Sequence, residues 1–156
     1  MAVAITLQQY LEDQGVEYEV LVHSHTVSAS RTAQKSHVSG DQLAKAVVLK
    51  SDEDFLVAVL PASHHVDLGQ LKSWLDRPVG LATESEASAL FPDCALGAVP
   101  PLGAAYGVEA ILDDGLTAQP EVYFEGGDHA SLVHVTAAQF RDLMAGARRG
   151  RFSRHD

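Results

Sequence analysis

Residues 43–50 read Leu-Ala-Lys-Ala-Val-Val-Leu-Lys, an apolar strand pattern with a charge near its start. With a two-residue side-chain period, Lys45 shares a face with Val47 and Leu49, while Ala46, Val48 and Lys50 take the other. Lys50 reaches solvent at the strand end; Lys45 has less freedom. An ammonium among apolar neighbours is costly unless it is paired, snorkels, or faces a polar pocket. The stretch alone leaves those three readings open. Ser51 to Asp54 is acidic and polar and reads as a hairpin turn into a second strand, Phe55 to Leu60, which Pro61 closes. The lysine strand thus pairs with an apolar one, and Lys45 is expected in the middle of a sheet.

Around this hairpin the other elements are short. Ile5 to Gln14 places Leu7, Tyr10 and Leu11 on one side of a helix that Gly15 stops. Glu17 to Val22 alternates as a strand, and Ser28 to Val38 reads as a surface helix leading to a Gly40-Asp41 turn. Asp67 caps a helix over Leu68 to Leu75, and Thr83 with Glu86 forms a capping box opening a helix to Leu90. Val79 to Ala82, Val108 to Leu112, Glu121 to Phe124 and Ser131 to Val135 are strands, the last of them final in the chain, with Asp113-Asp114-Gly115 as a turn. Thr136 and Gln139 open a closing helix that Gly146 ends. The order lacks regular βαβ alternation. The expectation is an α+β fold: a mixed, mostly antiparallel sheet curled towards a barrel, with peripheral helices.

At 156 residues, 46% hydrophobic and 21% charged, the chain suits one domain with a single core. It shows no apolar run of membrane-spanning length and no signal-peptide pattern, so a soluble cytoplasmic protein without a membrane contact is expected. Cys94 is the single cysteine, which excludes an internal disulfide. The net charge of −10 counts against a broad grip on nucleic acid. Against that average, Arg148, Arg149, Arg151 and Arg154 make a basic tail from about residue 147. It reads either as a contact for an anionic partner or as a frayed solubilising end.

His23 and His25 alternate along the chain, but two histidines without a carboxylate or thiolate make a thin metal site. His64 and His65 are adjacent in a loop before the Asp67-capped helix, so their side chains point apart. No metal and no cofactor are expected. No Ser-His-Asp or Cys-His arrangement is legible. A second landmark is the loop Gly97-Ala98-Val99-Pro100-Pro101-Leu102-Gly103, whose prolines stiffen it and whose glycines admit close backbone approach. Such a loop either holds amides for a carbonyl or phosphate oxygen or simply connects sheet segments.

Together, Ala44-Lys45 opening an apolar strand, the loop from Gly97 to Pro101 with Gly103, and the turn Gly126-Gly127-Asp128-His129 resemble the YbaK-type family. These are aminoacyl-tRNA deacylases related to the editing domain of bacterial prolyl-tRNA synthetase. The resemblance runs from about Tyr18 to Leu143. It implies a single editing domain over residues 1–156 that hydrolyses the ester of a mischarged tRNA, with that tRNA, and an aminoacyl-tRNA synthetase beside it, as partners. It implies that Lys45 is the catalytic lysine, that Gly97 and Pro101 bound a GxxxP substrate loop containing Ala98 and Val99, with Gly103 just beyond, and that His129 lines the pocket. One departure is Ala46, which follows the lysine where some alanine-specific members carry asparagine. The alternatives are a non-catalytic binding module for tRNA or an amino acid, and a metal-dependent hydrolase built on the histidines. Contacts to tRNA are expected to be local, at Lys45 with Arg31, Lys35 or the tail.

Overall fold

The computed structural model describes residues 3–23, 32–33, 38–95 and 97–155. The expected helix over residues 28–38 lies outside the described residues except at Thr32, Ala33 and Val38; so do His25, Arg31 and Lys35.

The chain centres on the hairpin. Strands β2 (Leu43–Ser51) and β3 (Asp54–Pro61) pair antiparallel in the register Lys45 opposite Leu60 and Leu49 opposite Leu56. Their turn is tight, with Asp52 in the left-handed region at φ 54°. The other strands of the main sheet are β1 (Glu19–Val22), β6 (Glu109–Asp113), β7 (Glu121–Glu125), β8 (Ser131–Thr136) and β9 (Arg148–Gly150). The order is β1-β8-β7-β2-β3-β6-β9, with the short β5 (Gly80–Leu81) also on β2. Five described strand pairs are antiparallel and three, β2–β7, β3–β6 and β6–β9, are parallel. The sheet is mixed and mostly antiparallel, as the pattern predicts. Among the described residues it does not close: the strand order ends at β1 and at β9, so the curl towards a barrel stops short of one.

Five helices flank the sheet among the described residues: α1 (Ile5–Asp13), α2 (Leu68–Leu75), α3 (Glu84–Leu90), α4 (Asp114–Thr117) and α5 (Ala137–Leu143). Both capping boxes form, at Thr83 with Glu86 and at Thr136 with Gln139. The side chains divide by strand parity. Ala44 and Val48 point into the larger core with Leu7, Leu11, Phe124 and Phe140. Leu49, Leu56, Ala58 and Leu60 point to the opposite face and pack with Leu71, Ile111 and Phe152. Lys45 belongs to this second face. None of these helices is long and apolar enough to cross a membrane.

Three local expectations change. The Asp113-Asp114-Gly115 segment is the start of α4, which Asp113 caps by accepting from the Gly115 N–H at 2.9 Å. His64 and His65 lie on a strand, β4 (His64–Val66), and not in a loop. β8 is not the last strand, because β9 and then β10 (Ser153–His155) follow, β10 pairing with β4. The basic tail is therefore not frayed. The buried Asp113 carboxylate accepts from the Phe152 N–H at 3.0 Å, the Phe152 ring is wholly buried, and it stacks on Trp74 at 5.9 Å.

Candidate functional site

A break in strand pairing opens the site. Among the described residues, β2 pairs with β7 at Leu43 and Ala44 and with β5 at Leu49 and Lys50 only. Main-chain groups alternate in direction along an antiparallel strand. The Leu43 carbonyl accepts from Ala62 on the β3 side, whereas the carbonyls of Gln42 and Val48 accept from Tyr123 and Ala82 on the other. Ala46, of the same parity as Gln42 and Val48, turns its N–H and C=O into the gap between β7 and β5. A cavity of about 170 Å³ sits there, lined by Lys45, Gly97, Val99, Glu125, His129 and Thr32 together with strand residues of β2 and β8.

Lys45 extends from its half-buried strand position and donates from Nζ to the main-chain carbonyl of His64. His129 stands in the left-handed region at φ 62° and is 8% exposed. Its turn is built by Glu125, whose Oε1 accepts from the N–H groups of Gly127 at 3.1 Å, Asp128 at 3.3 Å and His129 at 3.1 Å. Burial pushes the Glu125 carboxyl above its ordinary pKa, while the Gly127 and His129 amides pull it back. Gly97 crosses this turn at φ 79°, and a Cβ there would lie 3.5 Å from His129 Cε1.

The structure thus brings Lys45, Gly97, Val99 and His129 to one cavity. It does not bring Ala98, Pro101 or Gly103 there. Ala98 is 1% exposed and its N–H is occupied by the Ala95 carbonyl at 3.0 Å, so it does not offer the amide expected of it. Pro101 is buried, and Gly103 opens a 3₁₀ turn (Gly103–Tyr106) where a Cβ would stand 2.5 Å from the Val108 carbonyl oxygen. These three shape the loop from behind. Glu125 and Thr32 are polar lining residues that the sequence does not single out. Glu125 falls one residue beyond the strand expected over Glu121 to Phe124; its signal is its place directly before Gly126-Gly127.

A second cavity of about 200 Å³ shares Ala46, Val47, Gly97 and Val99 with the first, and is otherwise walled by α3 and residues such as Leu81, Phe91 and Cys94. Burial pushes the Cys94 thiol up to about 11, so it stays protonated and is not a thiolate nucleophile.

The structure is similar to that of a candidate trans-editing enzyme for prolyl tRNA synthetase, at 26% identity and a TM-score of 0.83, covering 96% of this chain and 95% of that one. A scaffold protein used in epitope backbone grafting matches at 25% identity and a TM-score of 0.84, with 97% of each chain covered. A fold match also occurs inside a longer chain, a candidate signal transduction protein from Marinobacter aquaeolei VT8, at 22% identity and a TM-score of 0.75, covering 96% of this chain and 30% of that one. No curated protein sequence matches. The family model for the aminoacyl-tRNA editing domain matches residues 23–143, a span that holds every lining residue of the cavity, and the chain belongs to that family.

Proposed function

We propose that this protein is a trans-editing deacylase, hydrolysing the ester that joins a wrong amino acid to its tRNA. The observation that carries the reading is the convergence of Lys45, Gly97, Val99, Glu125 and His129 on one small cavity beside a stretch of β2 that no described strand pairs on that side. At about 170 Å³ the cavity is smaller than the roughly 300–1,000 Å³ of drug-sized ligand pockets, a size that suits an aminoacyl group better than a nucleotide. A second sieve of this kind is what synthetases need, because one methylene discriminates by only about 1–3 kcal/mol.

In the reaction a water oxygen adds to the ester carbonyl carbon, the carbonyl oxygen takes the negative charge, the bond to the ribose oxygen breaks, and that oxygen recovers a proton. Lys45 supplies fixed positive charge for the terminal phosphate or the carbonyl oxygen. The Ala46 N–H, turned into the gap, is a main-chain donor for the same oxygen. Val99 and the Gly97–His129 contact shape the aminoacyl end. Glu125 keeps the His129 turn in place, its Oε1 accepting from the Gly127, Asp128 and His129 amides. As the family resemblance implies, a ribose hydroxyl of the substrate helps to activate the water, which makes the protein mainly an orienting and electrostatic catalyst. The work belongs in the cytoplasm, where tRNA is charged and a synthetase is at hand.

The test is a deacylation panel over mischarged tRNAs with the purified full chain. Enzyme-dependent release of one small amino acid, or a few, supports the reading. Binding of aminoacyl-tRNA without turnover for any member of the panel overturns it in favour of a binding module.

A further inference from the structure

Asp41, His64 and His155 come from three separate segments, and one ligating atom from each lies within 4.8 Å of the others. We propose that they form a binding site for Zn²⁺ or a similar borderline divalent cation, none of the three being among the residues that line the cavity. Two imidazoles and one carboxylate are a donor set such a cation takes up in preference to Mg²⁺ or Ca²⁺.

Each donor is held independently. β10 and β4 pair antiparallel with His155 directly opposite His64, and the two rings meet edge-on at 5.2 Å. The His64 Nδ1 lies 2.9 Å from the Ser153 hydroxyl, a supporting contact that leaves Nε2 for a metal. Asp41 sits in a turn closed by the Gln42 N–H to the Ser39 carbonyl at 3.0 Å, its own N–H reaches the Ser39 hydroxyl at 3.2 Å, and Oδ1 accepts from the Ser63 hydroxyl. The Asp41 Oδ1 to His155 Nε2 distance is 3.8 Å. Metal–ligand distances of about 2.0–2.2 Å place tetrahedral donors roughly 3.3–3.6 Å apart. Small side-chain rotations therefore close the site, with no movement of the strands. Three protein donors leave one position for water, and the net charge of −10 favours a cation.

Occupation joins the last strand to the turn that leads into β2, and so steadies the segment whose His64 carbonyl receives the Lys45 ammonium. The experiment is calorimetric titration of untagged, chelator-treated and dialysed full-length protein with ZnCl₂, repeated with His155→Ala, Asp41→Asn and His65→Ala. Wild type and His65→Ala should bind one Zn²⁺ per chain with similar affinity, because His65 is next to His64 on β4 and so points to the other face. His155→Ala and Asp41→Asn should each lose at least tenfold, a scale that loss of even a supporting group reaches. Zn²⁺ should also raise the thermal midpoint of wild type and not of His155→Ala. No stoichiometric binding, or equal affinity in wild type and His155→Ala, overturns the proposal. The His155 side chain is exposed and the substitution keeps the β10 backbone that pairs with β4, so no core contact is removed.

Discussion

Lys45 donates from Nζ to the main-chain carbonyl oxygen of His64. A carbonyl is a neutral acceptor, so this bond orients the ammonium without cancelling its charge. The strand period explains the reach. Lys45 shares its face with Leu49 and lies opposite Leu60, both wholly buried, so its methylenes run along apolar surface before the head group meets polar atoms at the rim.

Replacing Lys45 with Met keeps that apolar stem and removes the charge. The variant should fold with a thermal midpoint near that of wild type and lose deacylation by about 10²-fold or more, the scale for removing one preorganised electrostatic group. Single-turnover hydrolysis of the best substrate from the panel measures it. A wild-type rate would reject a catalytic role for the lysine.

Gly97 and Gly103 bound one loop and should behave differently. At Gly97 a Cβ would meet only the His129 ring at an ordinary 3.5 Å, but φ is 79°. Gly97→Ala should therefore cost about 1–2 kcal/mol of stability and alter turnover or amino-acid preference through His129. Gly103→Ala would drive a Cβ to 2.5 Å from the Val108 carbonyl oxygen, with backbone and not a pliable side chain in the way. It should lose about 1–3 kcal/mol by shifting backbone, with the order of preference among amino acids unchanged. Denaturation midpoints and the substrate panel, run on both variants, separate the two roles. A preference change in Gly103→Ala would place that glycine in the site after all.

The elements legible in the chain are those whose signals are local. The β2–β3 hairpin carries its turn and its periodicity in neighbouring residues, and each capping box spans only four positions. β9 and β10 have no such signal: Arg148-Arg149-Gly150 and Ser153-Arg154-His155 show no apolar alternation. They become strands because distant groups wait for them, Asp113 for the Phe152 N–H and Trp74 for the Phe152 ring. The candidate site divides in the same way. Lys45 is conspicuous because it breaks a pattern, whereas Glu125 obeys one. Its burial comes from the turn that folds back over it, which no spacing within β7 reveals.

Glu125 gives a pH test whose sign differs from that of most carboxylates. Its folded pKa lies above the unfolded value, so the folded state holds the proton more tightly. Between the unfolded and folded pKa values stability falls as pH rises; below the unfolded value both states are protonated and nothing changes. Glu125→Gln keeps an oxygen acceptor for the turn amides and cannot ionise. Its thermal midpoint, relative to wild type, should rise as pH is taken from about 4 upwards. A difference that stays flat across the range would show that the buried carboxyl carries no such penalty.

How so acidic a chain holds an anionic substrate turns on the C-terminal arginines. Two are already occupied within the protein: Arg148 lies over the Trp74 ring at 4.5 Å and donates to the Trp74 carbonyl, and Arg154 pairs with Asp67 at 2.6 Å. Arg149 and Arg151 are exposed, and Arg149 lines a cavity of about 210 Å³ together with Arg141. Cutting the chain after Gly146 would remove the wholly buried Phe152 as well as the charges, so truncation confuses binding with folding. The cleaner variant is Arg149→Gln with Arg151→Gln, which leaves β9 and β10 their backbone and their core contact. With a net charge of −10, contacts to tRNA should be few and local, so the slope of log affinity against log salt should stay below about 3 in magnitude, at about 0.7 per phosphate contact on a single strand. Losing two such contacts lowers the slope by at most about 1.4. Affinity measured for both proteins across a salt series checks this. A steep wild-type slope that the double variant abolishes would make this edge, and not Lys45, the main seat of tRNA binding.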